Sequence, residues 1–320
     1  MILMDMNQVI LHNLFARMKN VNEIEEDLVR HMILNSIRIY RNKFKKEYGE
    51  VVLTFDGGRY WRKDFFKHYK ESRKIKQDGD GIDWSNIFGL IGKIREELIE
   101  TFPYKTIYLT HIEADDIIAV LTKAYHHQEK IMIVSSDKDF QQLQRYDNVS
   151  QYSLKTKGLL VCNDPEEFLL RHIIKGDSSD GIPNLLSDDD AFVNESKRQK
   201  PCGEKKVKAI MESLDTWLET SNWERNQTLV DFEKIPDWVQ DKIIEEWESP
   251  VRGSRRELFP YFAEKRLKNE DDVRDLNKKG VKRERKKAQR HHNKNDLKDL
   301  YTGPDVDYDS IDEYMDRLDD

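Results

Sequence analysis

Cysteine is nearly absent. Cys162 and Cys202 are the only two in 320 residues, too few for a disulfide framework or a thiolate zinc site. No apolar run approaches the roughly 20 residues of a membrane span. The start MILMDMNQ has no basic segment ahead of an apolar one, so it does not read as a secretory signal. The first strand starts almost at Met1, which leaves room for residues upstream of it. No Ser/His/Asp or Cys/His set offers a covalent route, and the pairs His126-His127 and His291-His292 read as surface residues. What is left is a cytoplasmic chain in a reducing compartment, with no membrane partner.

Charge of one sign is also scarcer than the total suggests. The net charge is −7, and residues 305–320 alone carry eight acids and one base, so the preceding 304 residues balance at zero. Apolar residues make up 38% and charged residues 36%. That fits about two domains with a modest core and a long polar remainder.

Carboxylates are plentiful, and they recur at strand ends. Thr110–Phe140 holds Glu113, Asp115 and Asp116, then Asp137 and Asp139. Between these clusters, Ile117, Ile118, Val120, Leu121 and Ala124 recur at helical spacing. The β-branched run Ile131–Val134 reads as a buried parallel strand. Ile2–Met4 leads into Asp5, Val51–Phe55 into Asp56, and Ile107–Leu109 towards Glu113. Val149–Tyr152 and Leu159–Cys162 read as a fifth strand and a small hairpin. Glu23–Tyr48 reads as a helix. A first-turn acid can simply cap a helix, but capping does not explain four strands that each end near a carboxylate. In an open α/β sheet the functional crevice lies beyond the carboxyl ends of the strands. Acids converging there repel one another and take up protons unless cations are present. Carboxylate oxygens suit Mg²⁺ or Mn²⁺, and a set this large suggests two ions, the arrangement used for phosphodiester hydrolysis.

Arg59–Lys76 carries eight Lys/Arg against two acids, interleaved with Tyr60, Trp61, Phe65, Phe66 and Tyr69. Basic residues track phosphates and aromatics stack on unpaired bases; the plainer reading is an amphipathic helix with its aromatics in the core. Gln77–Gly81 reads as a hinge. Arg171–Ile182 adds Asp177 and Asp180. Beyond the polar stretch Leu185–Lys200, Gly203, Lys205 and Lys206 open a helix whose N-terminus can meet a phosphate. Helices follow through about Trp247, and Ser249–Arg256 reads as an exposed basic turn.

MDMNQ, TFDGG, YWRKDF, YKESR, IEADDIIAVL, IVSSDKDFQQL, IIKGDSSDGI and LVDFEKIPD occur in that order. Together they resemble the flap endonuclease (5′-nuclease) family, and within it the ribonuclease H branch of T-even-like bacteriophages, over roughly residues 1–262. The resemblance implies a PIN-like α/β nuclease domain with a central, mostly parallel sheet over 1–165 and a helical arch or bridge at about 57–90. A helical DNA-binding domain of helix-three-turn-helix type follows over 166–262, and a charged, flexible tail over 263–320. It implies Asp5, Asp56, Glu113, Asp115, Asp116, Asp137, Asp139, Asp177 and Asp180 as metal-site acids, with Lys70, Arg73, Asp137 and Asp139 catalytic. Arg59, Arg62, Lys63, Lys67, Tyr69, Lys70, Arg73, Lys74, Gly203, Lys205 and Lys206 would contact nucleic acid. It implies two Mg²⁺ ions, replaceable by Mn²⁺, in a monomeric 5′-to-3′ exonuclease and flap endonuclease acting on DNA and RNA–DNA duplexes, flaps or forks. The family role is removal of RNA primers from lagging-strand fragments, with single-stranded-DNA-binding or other replication proteins as partners, in the host cytoplasm for a phage protein. Leu185–Lys200 stands where the family often carries a compact Gly-x-Gly-x-Lys hairpin, and only Cys202-Gly203-Glu204-Lys205 resembles it, so the grounds for a K⁺ site are missing. Two alternatives share parts of the pattern. A PIN-type ribonuclease would not need the basic arch, and a non-catalytic junction-binding scaffold would not keep all the acids.

Residues 278–298 carry ten Lys/Arg against two acids, ahead of the acidic residues 305–320. Ile311, Tyr314, Met315 and Leu318 would share one face of a helix there. This segment docks on a partner, competes with DNA, or does neither. Truncations at Gly303 and at Phe262 separate these. If the acids compete, removing them alone tightens DNA binding most at low salt. If the basic run holds DNA, the shorter chain binds more weakly with a shallower salt dependence. Equal affinities, equal salt slopes and unchanged partner binding would leave the segment without either role.

Overall fold

The computed structural model describes residues 1–17, 26–79 and 81–265. The expected charged tail therefore falls, from residue 266 onward, outside the described residues.

In chain order the elements are β1 (Ile2–Asp5), α1 (Met6–Arg17), α2 (Glu26–Tyr48), β2 (Val51–Phe55), α3 (Trp61–Phe65), α4 (Glu71–Gly79), α5 (Trp84–Thr101), β3 (Lys105–Tyr108), α6 (Ala114–Tyr125) and β4 (Ile131–Val134). A 3₁₀ helix over Lys138–Arg145 leads to β5 (Val149–Ser153), β6 (Gly158–Leu160) and α7 (Pro165–Lys175). Then come α8 (Glu204–Glu212), α9 (Ser221–Val230), α10 (Asp237–Glu248) and α11 (Arg255–Glu264).

The six strands form one sheet in the order β3-β2-β1-β4-β5-β6. All neighbours run parallel except β5 and β6. The strands are short and apolar because both faces are covered, so successive residues feed opposite cores. Ile2 and Met4 join Val51, Leu53, Phe55, Met132 and Val134 beneath helices α1, α2, α5 and α11. Leu3, Val52, Ile131 and Ile133 turn the other way, towards Ile117, Ile118 and Leu121 of α6 and Val239 and Ile243 of α10. A third core joins Ile173 and Ile174 of α7, Val207 and Ile210 of α8 and Trp223, Leu229 and Val230 of α9.

Strand order reverses between β1 and β4, so the crevice opens at that switch point. Asp5 ends β1, and Ser135 and Asp137 follow β4. The direction in which the chain leaves β2 depends on Gly57. A Cβ there would lie 2.2 Å from the Leu109 carbonyl oxygen, and the Gly57 N–H donates to the Ile112 carbonyl at 2.7 Å. Only glycine lets the turn after β3 approach the residue next to Asp56 this closely.

Trp61 belongs to the second core and Phe66 to the third, as the plainer reading of the aromatics has it, while Phe65 is 47% exposed. Some expectations need correction. Tyr69, expected to contact nucleic acid, is a packing residue of the third core. Gln77–Gly79 continue α4, although Gly81 does adopt a turn conformation at φ 74. Ser249–Arg256 is not a free turn: Gly253 lies against the Phe102 backbone, and α11 begins at Arg255. Between α7 and α8, residues 176–203 form turns, so the pair is a helix–turns–helix unit. Helices α10 and α11 pack back onto the two layers of the sheet.

Gly57→Ala is expected to cost about 1–3 kcal/mol, the usual range for overpacking, because the obstructing atoms are backbone. The shift of the urea midpoint at unchanged slope measures it. An unaltered midpoint would mean that the 109–112 turn yields.

Candidate active site

The nine acids named from sequence all lie at the carboxyl end of the sheet or on the adjoining 177–180 loop, and they divide by partner. Four are neutralised by neighbouring cations. Glu113, 1% exposed, meets Arg62 and Lys70, each at 2.7 Å, and Tyr69 Oη donates to it at 3.2 Å. Asp116 is fully buried and pairs with Arg62 at 2.8 Å; its other oxygen accepts from Trp61 Nε1 at 2.9 Å and from the Glu113 N–H at 3.2 Å. The Glu113 side chain and Asp116 thus form a capping box that starts α6. Asp180 pairs with Arg73 at 2.8 Å and with Lys70 at 3.8 Å, and accepts from Tyr69 Oη at 3.1 Å. Asp177 accepts from Ser179 and meets Lys138 and His172, each at 3.1 Å.

Among the described residues, no lysine or arginine pairs with Asp5, Asp56, Asp115, Asp137 or Asp139. Neutral donors hold most of them in place. Asp5 accepts from the Gln8 N–H, capping α1, and from Ser135 Oγ. Asp56 accepts from Asn7 Nδ2 and the Ala114 N–H. Asp137 caps the 3₁₀ helix by accepting from the Asp139 N–H at 2.8 Å.

Proton affinity follows this division. Burial, then Asp56 and Asp137, pushes Asp5 up to about 7. Burial, then Asp137, Asp5 and Asp56, raises Asp115 well above the ordinary carboxylate range. Burial raises Asp56 and Asp137 as well, and takes Asp139 up to about 8. Burial would also raise Glu113, but Lys70 and Arg62 outweigh it and hold Glu113 below its usual value. In the same way His172 and Lys138 hold Asp177 far below the usual carboxylate range. Asp5 is buried and the other four are half-buried, and these five acids, which raise one another's proton affinity and have no lysine or arginine pair, offer carboxylate oxygens of the kind that suit Mg²⁺ or Mn²⁺.

The basic residues also divide. Arg62 was expected to contact nucleic acid, but it is 3% exposed, with Nε donating to the Leu229 carbonyl at 3.0 Å and both terminal nitrogens on acids. It therefore lies beyond the reach of a phosphate in this structure. Tyr69 is likewise buried beneath Glu113 and Asp180. Lys70 and Arg73 line the crevice. Their convergence comes from a turn before α4: Lys70 sits outside the helix at φ 55, a strained conformation for a residue with a side chain, and its N–H donates to the Asp180 carbonyl at 2.8 Å. Lys67 and Lys74 are exposed and Lys63 is half-buried, while Arg59 is exposed and paired with Asp64. Gly203, Lys205 and Lys206 lie exposed at the start of α8, away from the acids, where Gly203 leaves open space around the helix N-terminus.

His172 was not foreseen. It is 7% exposed on α7, with one ring nitrogen 3.1 Å from Asp177 and the other 3.3 Å from Asp139. The only signal in the sequence was its place five residues before Asp177 in RHIIKGD.

Arg62→Ala is expected to destabilise the protein by about 3–5 kcal/mol, the cost of leaving buried charges unpaired. Chemical unfolding measures this. A loss of DNA affinity without a loss of stability would instead make Arg62 a surface contact.

Residues 1–169 match the family model of the 5′-3′ exonuclease N-terminal resolvase-like domain, and residues 163–275 match that of the T4 RNase H C-terminal domain. The chain is 31% identical over 275 residues to the ribonuclease H of Enterobacteria phage T4, covering 82% of this chain and 90% of that one. It is 31% identical to flap endonuclease Xni of a Shewanella strain, over 42% of this chain and 52% of that one. In fold it is similar to the bacteriophage T5 flap endonuclease crystallised as a pseudo-enzyme–product complex with DNA and metal ions. That likeness has a TM-score of 0.54 at 20% identity and covers 78% of this chain and 99% of that one. Ordered acids at the strand ends, a PIN-like parallel sheet and both domain matches lead to one conclusion: the chain belongs to the 5′-3′ exonuclease (5′-nuclease) family, with a C-terminal domain of the T4 RNase H type.

Proposed function

We propose that this nuclease is a metal-dependent 5′-to-3′ exonuclease and flap endonuclease of ribonuclease H type. It would hydrolyse phosphodiester bonds in DNA and RNA–DNA duplexes, flaps or forks, removing RNA primers from lagging-strand fragments during phage replication. The observation that carries this is the set of five buried or half-buried acids without lysine or arginine partners, gathered at the switch point of the sheet near Lys70 and Arg73. Asp5, Asp56, Asp115, Asp137 and Asp139 would hold two Mg²⁺ ions, or Mn²⁺ in their place, which when bound lower the pKa of a water and offset charge on the phosphate.

The chain's own groups do the rest. Lys70 and Arg73 are already turned towards acids of the site, so their cost of orientation falls on folding and not on the reaction. They offset charge developing on the phosphorane-like transition state. Asn7, Ser135 and the amides of Gln8, Ala114 and Asp139 fix the carboxylates in place. Exposed Lys67, Lys74, Lys205 and Lys206 would meet phosphates away from the reacting bond and position the duplex. Products would carry 5′-phosphate and 3′-hydroxyl ends. The protein would work as a monomer alongside single-stranded-DNA-binding or other replication proteins.

The experiment is single-turnover digestion of 5′-labelled duplex, flap and RNA–DNA substrates with Mg²⁺. Asp137→Asn and Asp139→Asn are expected to abolish cleavage with DNA binding largely kept. Lys70→Ala and Arg73→Ala are expected to slow the saturating rate by about 10²–10³, as loss of one transition-state donor does. Full cleavage in EDTA, or by either aspartate variant, would overturn the reading. If the lysine and arginine variants, checked for folding, lose only affinity, those residues merely hold substrate.

A further inference from the structure

His172 occupies a place that an ion-pair role does not fully explain. Its Nε2 lies 3.1 Å from Asp177 Oδ2, which fixes the ring on a carboxylate. Its Nδ1 lies 3.3 Å from Asp139 Oδ1, yet both of these buried atoms lack a hydrogen-bond partner. Two unsatisfied polar atoms buried this close each cost free energy unless something else joins them. Donor atoms of Asp139, His172 and Asp177 lie within 4.8 Å of one another.

Asp177 itself is fully engaged. One oxygen takes the Ser179 N–H at 2.9 Å, the Ser179 hydroxyl at 2.6 Å and the Asp180 N–H at 3.3 Å. The other takes His172, with Lys138 at 3.1 Å. An imidazole that gives one N–H to such a carboxylate and keeps its other nitrogen without a hydrogen bond, beside a second carboxylate, matches the usual environment of a metal-binding histidine. The Phe168 ring packs against it at 5.7 Å and limits rotation.

We propose that His172 Nδ1 is a metal ligand beside Asp139, with Asp177 as the carboxylate that orients it and not as a ligand. The cation position next to Asp139 then has a mixed nitrogen and oxygen donor set. Imidazole favours transition ions over Mg²⁺, so this position prefers Mn²⁺. The inference rests on the proposed metal-dependent site and adds to it a donor that sets ion choice.

Pulsed EPR of the full chain loaded with Mn²⁺, without nucleic acid, tests it. The expected result is a nitrogen coupling on Mn²⁺ that changes when all histidines carry ¹⁵N and disappears in His172→Gln. Mn²⁺ affinity in that variant should fall by about tenfold or more, and Mg²⁺ affinity by less. The isotope experiment uses the unaltered chain, so it stands even if His172→Gln fails to fold; His172→Asn then supplies the assignment. Absence of a histidine nitrogen coupling in the unaltered chain, or its persistence in a folded His172 variant, would overturn the proposal. EDTA-sensitive cleavage separates the two readings: if cleavage needs metal but no nitrogen couples, only the role of His172 falls.

Discussion

The guanidinium of Arg62 joins three parts of the molecule. It leaves the short helix α3, pairs with Glu113 and Asp116 at the start of α6, and donates to the Leu229 carbonyl of α9. Burying a charge this deeply is costly unless it is paired and hydrogen-bonded; Glu113 and Leu229 accept hydrogen bonds from it and Asp116 supplies a second opposite charge. The start of α6 is thereby fixed, and with it the residue between those two acids in the first turn, Asp115. Two acids that look equivalent to Asp115 in EADD are already neutralised, so cation demand concentrates on Asp5, Asp56, Asp115, Asp137 and Asp139.

A second constraint is the docking of the 177–182 loop on the turn before α4. The Lys70 N–H reaches the Asp180 carbonyl, and a Cβ on Gly181 would lie 2.9 Å from the His68 carbonyl oxygen. Gly176 and Gly181 both take positive φ to bring the loop there. Lys70 and Arg73 are thus held between α6 and the 177–182 loop, and are fixed from two directions. Preorganisation of this kind spares reorganisation at the moment of reaction.

Much of this was legible in the residues. Strand positions could be read because a buried parallel strand is a short β-branched run, and β2 and β4 fall where Val51–Phe55 and Ile131–Val134 placed them. The acids could be read because they follow those runs directly. Their division could not, since it depends on Arg62 meeting Glu113 and Asp116 across some fifty residues of chain. Composition cannot tell a basic residue that faces phosphate from one that faces a buried carboxylate. The same limit left two readings open for Trp61, Phe66 and Tyr69, of which the core is the one found, and left His172 looking like any other polar residue on a helix.

The return of α10 and α11 to the sheet has a consequence for synthesis. Val239 and Ile243 cover one face of the nuclease layer, and Leu258, Tyr261 and Phe262 the other. A ribosome must therefore translate nearly all of the described chain before either layer is closed. A nascent chain ending after β6 would hold every acid of the strand ends yet lack its outer helices, and it would meet chaperones with both faces of the sheet partly bare. The strand-end acids and the helices that cover their sheet thus come into place together.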